Sequence, residues 1–316
     1  MLRTLRFLAW LGYWVLCTSG TSIAQNIQLP LLFAGDLLLV SAEIDHQCGW
    51  LILDTGAPGL VLNGAHFRAA RSGRAEEALV DVHGQHFVPN WKSVREVQLG
   101  TLHLEGHDQA RVLDLGNLED LKGEKILGLL GWSVLKDYAW MLDLKAETLH
   151  LFSLDRRGKL VESIPTYPPV DSVDLHFIQH MPFVRARLGA KTVDLGLDTG
   201  AEVNLWCRPT SKWVHRHFLA KDTLLLQGFG AKRSKVPYGH LQPLLIGKMD
   251  YSETHFIVPE KRSFGQQSNM GPIDGILGIP FLRNRRMMIN FRVKKIYFWD
   301  PPEPLKLEMP SSQSHP

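Results

Sequence analysis

The residues with the clearest chemical potential in this chain are two aspartates in the same tetrapeptide. Asp54-Thr55-Gly56-Ala57 lies in "LILDTGAPGLVLN" at 51–63, and Asp198-Thr199-Gly200-Ala201 lies in "LGLDTGAEVNLW" at 195–206. Two carboxyls brought into contact cannot both ionise cheaply, so one keeps a proton and the other stays anionic. Such a pair supplies an acid and a base at one point. The anion can take a proton from a water held between the carboxyls, while the neutral partner donates to a carbonyl oxygen under attack. This chemistry requires neither a metal nor a covalent intermediate, and no cofactor is expected. Glycine at positions 56 and 200 lets backbone amides approach the carboxyls in a tight loop. The hydroxyls of Thr55 and Thr199 can bond across the interface and tie the two loops together. Apolar flanks, Leu51-Ile52-Leu53 and Leu60-Val61-Leu62 in the first half and Leu195-Gly196-Leu197 in the second, make the loops the tips of buried strands.

Positioning two such loops requires two similar units, and the sequence contains them. "GLLGWSVLKDYAWMLDLKAETLHLF" from Gly128 aligns with "GILGIPFLRNRRMMINFRVKKIYFW" from Gly275, and "VREVQLG" ending at Gly100 aligns with "LQPLLIG" ending at Gly247. The aspartates are 144 positions apart and these later blocks 147, so three residues are inserted between them. Asp143 aligns with Asn290 and reads as a turn or strand-end residue with no catalytic part. Alternating or apolar runs at 37–44, 94–99, 183–188 and 255–258, bounded by Gly, Asn, Asp and Pro, predict short strands. Helix is expected only after each Gly-x-x-Gly block, over Trp132–Tyr138 and Ile279–Arg285.

The domain plan is a leader at 1–24, one unit at 25–157, a polar Pro-containing linker at 158–172, a second unit at 173–300 and a disordered tail at 301–316. Arg3 and Arg6 precede an apolar run from Phe7 to Cys17, and Ser22-Ile23-Ala24 then reads as a cleavage site. The run is shorter than the roughly 20 residues of a membrane-spanning helix. An exported protein of the periplasm, cell envelope or medium is expected, with no stable membrane span after cleavage. The absence of an Asn-x-Ser/Thr sequon favours a bacterial envelope. Of 35 Lys and Arg, removal of Arg3 and Arg6 leaves 33 against 32 Asp and Glu, which gives no basic footprint for nucleic acid. After cleavage only Cys48 and Cys207 remain, as one bridge or as two buried thiols.

The paired motifs resemble those of retropepsin-like and pepsin-like aspartic peptidases, with Asp274-Gly275-Ile276-Leu277-Gly278 similar to the pepsin-type downstream block. The resemblance spans roughly residues 28–300. It implies an all-β, bilobal fold with two pseudo-twofold-related β-barrel lobes and short helices. Asp54 and Asp198 would form the dyad in a cleft for a peptide or protein substrate, and a single chain would suffice as a monomer. Flap turns are expected at His83, Gly84 and Gln85 and at Gly228, Phe229 and Gly230. Three features depart from the pepsin pattern. No Tyr lies in 80–90, both motifs end in Ala where a hydroxyl is usual, and Asp54 lies only 29 positions after Gln25. The chain looks like two retropepsin-type units fused, without a zymogen stage.

Other readings compete. A binding module on the same fold would hold peptides or polymers without cutting them. A glycosidase would place its carboxyls roughly 5–9 Å apart, whereas matched loops favour direct contact. His103 and His107, His176 and His180, and His215 and His217 have metal-like spacings but no convincing third ligand, so solvated or core roles are expected for them.

Overall fold

The computed structural model describes residues 26–74, 79–80, 86–161, 168–208, 211–227, 233–259 and 273–299. The leader, the tail and all six flap residues named above (His83, Gly84, Gln85, Gly228, Phe229 and Gly230) lie outside the described residues.

The first half builds β1 (Ile27–Ala34), β2 (Leu37–Ile44), β3 (Gln47–Leu53), β4 (Leu60–Asn63), β5 (Leu79–Val80) and β6 (His86–Phe87). It continues with β7 (Asn90–Leu99), β8 (Leu102–Leu113), α1 (Gly116–Lys122), β9 (Ile126–Leu130), β10 (Tyr138–Asp143) and β11 (Thr148–Ser153). The second half builds β12 (Asp171–Ile178), β13 (Met181–Leu188), β14 (Lys191–Leu197), β15 (Asn204–Trp206), α2 (Lys212–His217), β16 (Phe218–Gln227) and β17 (Arg233–Leu241). It ends with β18 (Leu244–Ile246), β19 (Met249–Asp250), β20 (His255–Ile257), β21 (Gly275–Leu277), α3 (Ile279–Leu282), β22 (Arg286–Asn290) and β23 (Lys295–Trp299).

The fold is all-β and bilobal, and the two lobes repeat one another. In the first lobe β9 lies parallel to β3 and antiparallel to β4, and in the second β21 lies parallel to β14 and antiparallel to β15. All five residues of β9 and all three of β21 are buried, as a strand covered on both faces requires. β1 and β12 each serve two sheets. Residues 27–30 pair with β11 and 31–34 with β2, while 171–174 pair with β23 and 175–178 with β13.

The lobes are joined by a single antiparallel sheet in the order β1, β11, β10, β22, β23, β12. At its centre β10 pairs with β22, with Trp140 opposite Ile289, Met141 opposite Met288 and Leu142 opposite Met287. Met141 and Met288 are 147 positions apart, the spacing of the repeat itself, so the pseudo-twofold axis passes between them. Aromatic packing seals the junction. Phe291 stacks on Trp132 with centroids 5.0 Å apart and meets Trp140 edge-on at 5.2 Å.

Several sequence expectations change. The helix expected over Trp132–Tyr138 is a 3-10 turn at Trp132–Leu135, because Tyr138 already opens β10. The helix after Gly278 stops at Leu282. α1 and α2 were not expected. α1 buries no residue of its own, so it lacks an apolar stripe, whereas α2 carries a legible start signal in Ser211, whose hydroxyl accepts from the Val214 amide at 3.3 Å. β12 begins at Asp171, inside the stretch read as linker, because residues 171–174 complete the sheet beside β23. Cys48 is exposed and Cys207 is half-buried, and the two are unbridged rather than both buried.

Candidate active site

Each aspartate ends a buried strand and is fixed by the parallel neighbour of that strand. The Asp54 amide donates to the Leu130 carbonyl at 3.0 Å, and the Asp198 amide donates to the Leu277 carbonyl at 2.9 Å. The chain then turns back on itself, with the Ala57 amide 3.2 Å from the Asp54 carbonyl and the Ala201 amide 3.3 Å from the Asp198 carbonyl.

The threonines bring the two turns together. The Thr55 amide donates to Thr199 Oγ1 at 2.9 Å, and the Thr199 amide donates to Thr55 Oγ1 at 3.0 Å. Each hydroxyl also donates back across the interface, Thr55 to the Leu197 carbonyl and Thr199 to the Leu53 carbonyl, both at 2.7 Å. Both side chains are fully buried. This reciprocal lock leaves no room for a side chain at the glycines. A Cβ on Gly56 would sit 2.9 Å from Asp198 Cγ, and one on Gly200 would sit 2.7 Å from Asp54 Cγ.

The carboxyls of Asp54 and Asp198 hydrogen-bond to each other. Loop amides supply further donors, with Ala57 N–H to Asp54 Oδ1 and Gly200 N–H to Asp198 Oδ1, each at 2.9 Å. Burial raises the proton affinity of Asp54 well above the usual carboxyl range, and the charge of Asp198 and the bond to it add to the effect. Burial also raises Asp198, but there the bond from Asp54 and the amides of Gly200, Gly56 and Ala201 act in the opposite direction. Burial and mutual repulsion thus disfavour charging both carboxyls at once. The arrangement is a carboxyl pair sharing one proton. Partial burial, with Asp198 and Asp274 nearby, pushes the Cys207 thiol up to about 12, so it is protonated beside this pair.

Residues that the sequence reading passed over surround the loops. On one side Glu202 Oε1 accepts from Lys122 Nζ at 2.5 Å and from the Asp36 amide at 3.0 Å, and Arg283 pairs with Asp36 at 2.6 Å. Lys122 and Asp36 come from the first lobe, and Glu202 and Arg283 from the second. On the other side the His180 carbonyl accepts from Trp132 Nε1 at 2.8 Å, and burial, with Arg111 nearby, holds the His180 imidazole below its usual range. Arg111 donates to the Pro58 carbonyl at 3.2 Å, and its guanidinium lies 4.9 Å from the Trp91 ring. His176 is not part of this group, since its ring packs on Phe183 with centroids 5.2 Å apart. A signal was available, because Asp36 and His180 are 144 positions apart and so occupy matching places in the repeat.

The strands on either side of both expected flap turns are paired, β5 with β6 and β16 with β17. Asp143 lies at the end of β10, bound by Arg286 and by the Ala146 amide at 3.1 Å. Asp274, just before β21, accepts from the Asp194 amide at 2.8 Å.

No protein-family model and no curated protein matches the chain. Among solved structures it is similar to an aspartic proteinase from Irpex lacteus. That match has 14% sequence identity and a TM-score of 0.48, and it covers 87% of this chain and 97% of the other.

Proposed function

We propose that the chain is an exported aspartic-type endopeptidase that hydrolyses peptide bonds at the Asp54 and Asp198 pair. The observation that carries this reading is the direct pairing of a buried Asp54 with a half-buried Asp198, held by four reciprocal bonds through Thr55 and Thr199. In the singly protonated pair, the anionic carboxyl accepts a proton from a water as the water oxygen bonds to the peptide carbonyl carbon. The neutral carboxyl gives its proton to the carbonyl oxygen, so the intermediate carries two hydroxyls on one carbon. The carboxyl that took the water proton gives it to the amide nitrogen as the C–N bond breaks, and one of the two hydroxyls returns its proton to the other carboxyl. A carboxylic acid and an amine leave, and the pair again holds one proton. The rigid loops keep the acid and base in register through both steps.

The raised proton affinities favour work in mild acid rather than strong acid. Ala57 and Ala201 supply no hydroxyl to steady the anion, so activity is expected to centre at about pH 4–6.5. The substrate is a peptide or protein, and one chain carries the complete pair.

The test compares wild type with Asp54→Asn and Asp198→Asn on a mixed peptide library from pH 3 to pH 8. Each substitution is expected to lower kcat by about 10³-fold or more, because the pair acts as a unit. Undiminished cleavage by either variant overturns the assignment. Binding by the wild type without hydrolysis at any pH, with affinity unchanged in both variants, supports a non-catalytic binding module instead.

A further inference from the structure

Residues from the start of β14, the end of β15 and α2 line a hollow of about 320 Å³ in the second lobe, large enough for a small organic molecule. None of them belongs to the dyad loops. Val193 stands five positions before Asp198, about 16 Å along an extended strand. Val193, Trp206 and Val214 form the buried floor of the hollow. Trp213 is half-buried in its wall, and Lys191 and Arg208 are exposed at its rim. Trp206 is 2% exposed, yet its Nε1–H has no hydrogen-bond partner. A buried indole N–H normally finds an acceptor, since it can only donate and an unpaired donor away from water is costly. Asp274, the one carboxylate of the lining, is already engaged: Arg208 Nε lies 2.5 Å from one oxygen, and the Asp194 amide donates to the other at 2.8 Å. Lys191 makes no ion pair among the described residues. Its ammonium sits 4.6 Å from the centre of the Trp213 ring, and the Trp206 ring lies 6.5 Å from the same centre. The Trp213 face thus holds a cation in place on the side of the hollow.

We propose that this hollow is a binding site for an organic carboxylate with an apolar or aromatic body. Of the charged and the buried polar side chains in the lining, those not already engaged are a buried N–H donor and a cation, so the ligand must bring an acceptor and negative charge. Its acid group accepts from Trp206 Nε1 and offsets the Lys191 charge. Its body covers Val193, Val214 and Trp213, the apolar part of the lining. A sugar would need acceptors for its hydroxyls, and the one carboxylate present is taken by Arg208 and the Asp194 amide. Two sources carry the matching chemistry, the carboxy-terminal residue of a peptide and a free small acid. The site does not depend on the Asp54 and Asp198 pair, and it stands whether or not that pair cleaves peptides.

The probe is hydrocinnamate, which has no peptide bond for the dyad to act on, with hydrocinnamyl alcohol as its uncharged match. Binding to the full-length protein at pH 7 is followed by nitrogen NMR of labelled tryptophan indoles, the Trp206 signal being the one lost in Trp206→Phe. That signal should move as hydrocinnamate is added. The alcohol should bind about 10-fold more weakly, because it forms no charge-assisted bond. Lys191→Gln changes an exposed residue and leaves the floor intact, and it should weaken the acid by about 3–5-fold while leaving the alcohol unchanged. Calorimetry should show hydrocinnamate binding about 10-fold weaker in Trp206→Phe, which removes the N–H. If that variant does not fold, the Trp206 signal is assigned from the wild type, and Lys191→Gln and the probe pair carry the test. The tripeptide Gly-Gly-Phe separates the two sources. A smaller Kd for it than for hydrocinnamate, read from the same indole signal, identifies a peptide terminus, and a larger one a free acid. An unmoved Trp206 signal, equal affinity for acid and alcohol, or an unchanged affinity for the acid in Lys191→Gln overturns the proposal.

Discussion

Thr55 and Thr199 each use one hydroxyl twice, as acceptor from the opposite amide and as donor to the opposite strand carbonyl. Valine has nearly the same shape but can do neither. Thr55→Val would leave the Thr199 amide and the Leu197 carbonyl buried without their partners, at a cost of about 2–4 kcal/mol. Thermal and urea denaturation should show that loss, and Thr55→Ser should recover most of it. Equal stability of wild type and Thr55→Val would remove the lock from the account. The aspartates work against stability. Both carboxyls bind protons more tightly in the folded state than at their ordinary value of 3.8. For such groups the stabilisation is fully present below the unfolded value and is lost as pH rises through the folded values. Wild type should therefore lose stability on going from about pH 3.8 toward neutrality through the dyad, whereas Asp54→Asn should lose less. Melting curves should coincide near pH 3 and diverge in favour of the variant at pH 8. A variant less stable than wild type at pH 8 would contradict the burial that raises Asp54.

At the scale of strands and helices, legibility followed how local the signal is. β2 matches the alternating run at 37–44 because one of its faces is buried and the pattern has a period of two. The buried strands that hold the aspartates were marked by their apolar flanks and by recurrence in both halves. α1 was invisible because none of its residues is buried and propensity alone is a weak guide. β12 was misread at its start since Asp171-Ser172-Val173-Asp174 is polar, and only a sheet edge distant in sequence makes it a strand. The same limit applied at the site. Asp54, Asp198 and their threonines carry a repeated motif, whereas His180, Trp132, Lys122 and Glu202 come together through tertiary folding. His176 and His180, spaced like metal ligands but expected to be solvated or core residues, have separate surroundings: the His176 ring packs on Phe183, and the His180 carbonyl accepts from Trp132.

For the molecule as a whole, the sheet through β10 and β22 makes the two lobes one body. Three cross-strand pairs, the aromatic cluster around Phe291 and the threonine lock all join the halves without using the connection between β11 and β12. A protease site inserted between Val161 and Pro168 should, once cut, give two bands on a denaturing gel but one particle in gel filtration, with peptide cleavage retained. Separation into half-sized particles would show that the connection itself holds the lobes. The placement of the axis between Met141 and Met288 also bears on inheritance. An assembly of two identical chains receives every new residue on both sides of such an axis at once. Here one reading frame spells each side separately, so a single codon change alters one flank of the dyad and leaves the other untouched. Asp36 could come to face Glu202 while its counterpart His180 met Trp132, and the two flanks could acquire different neighbours by independent steps of descent.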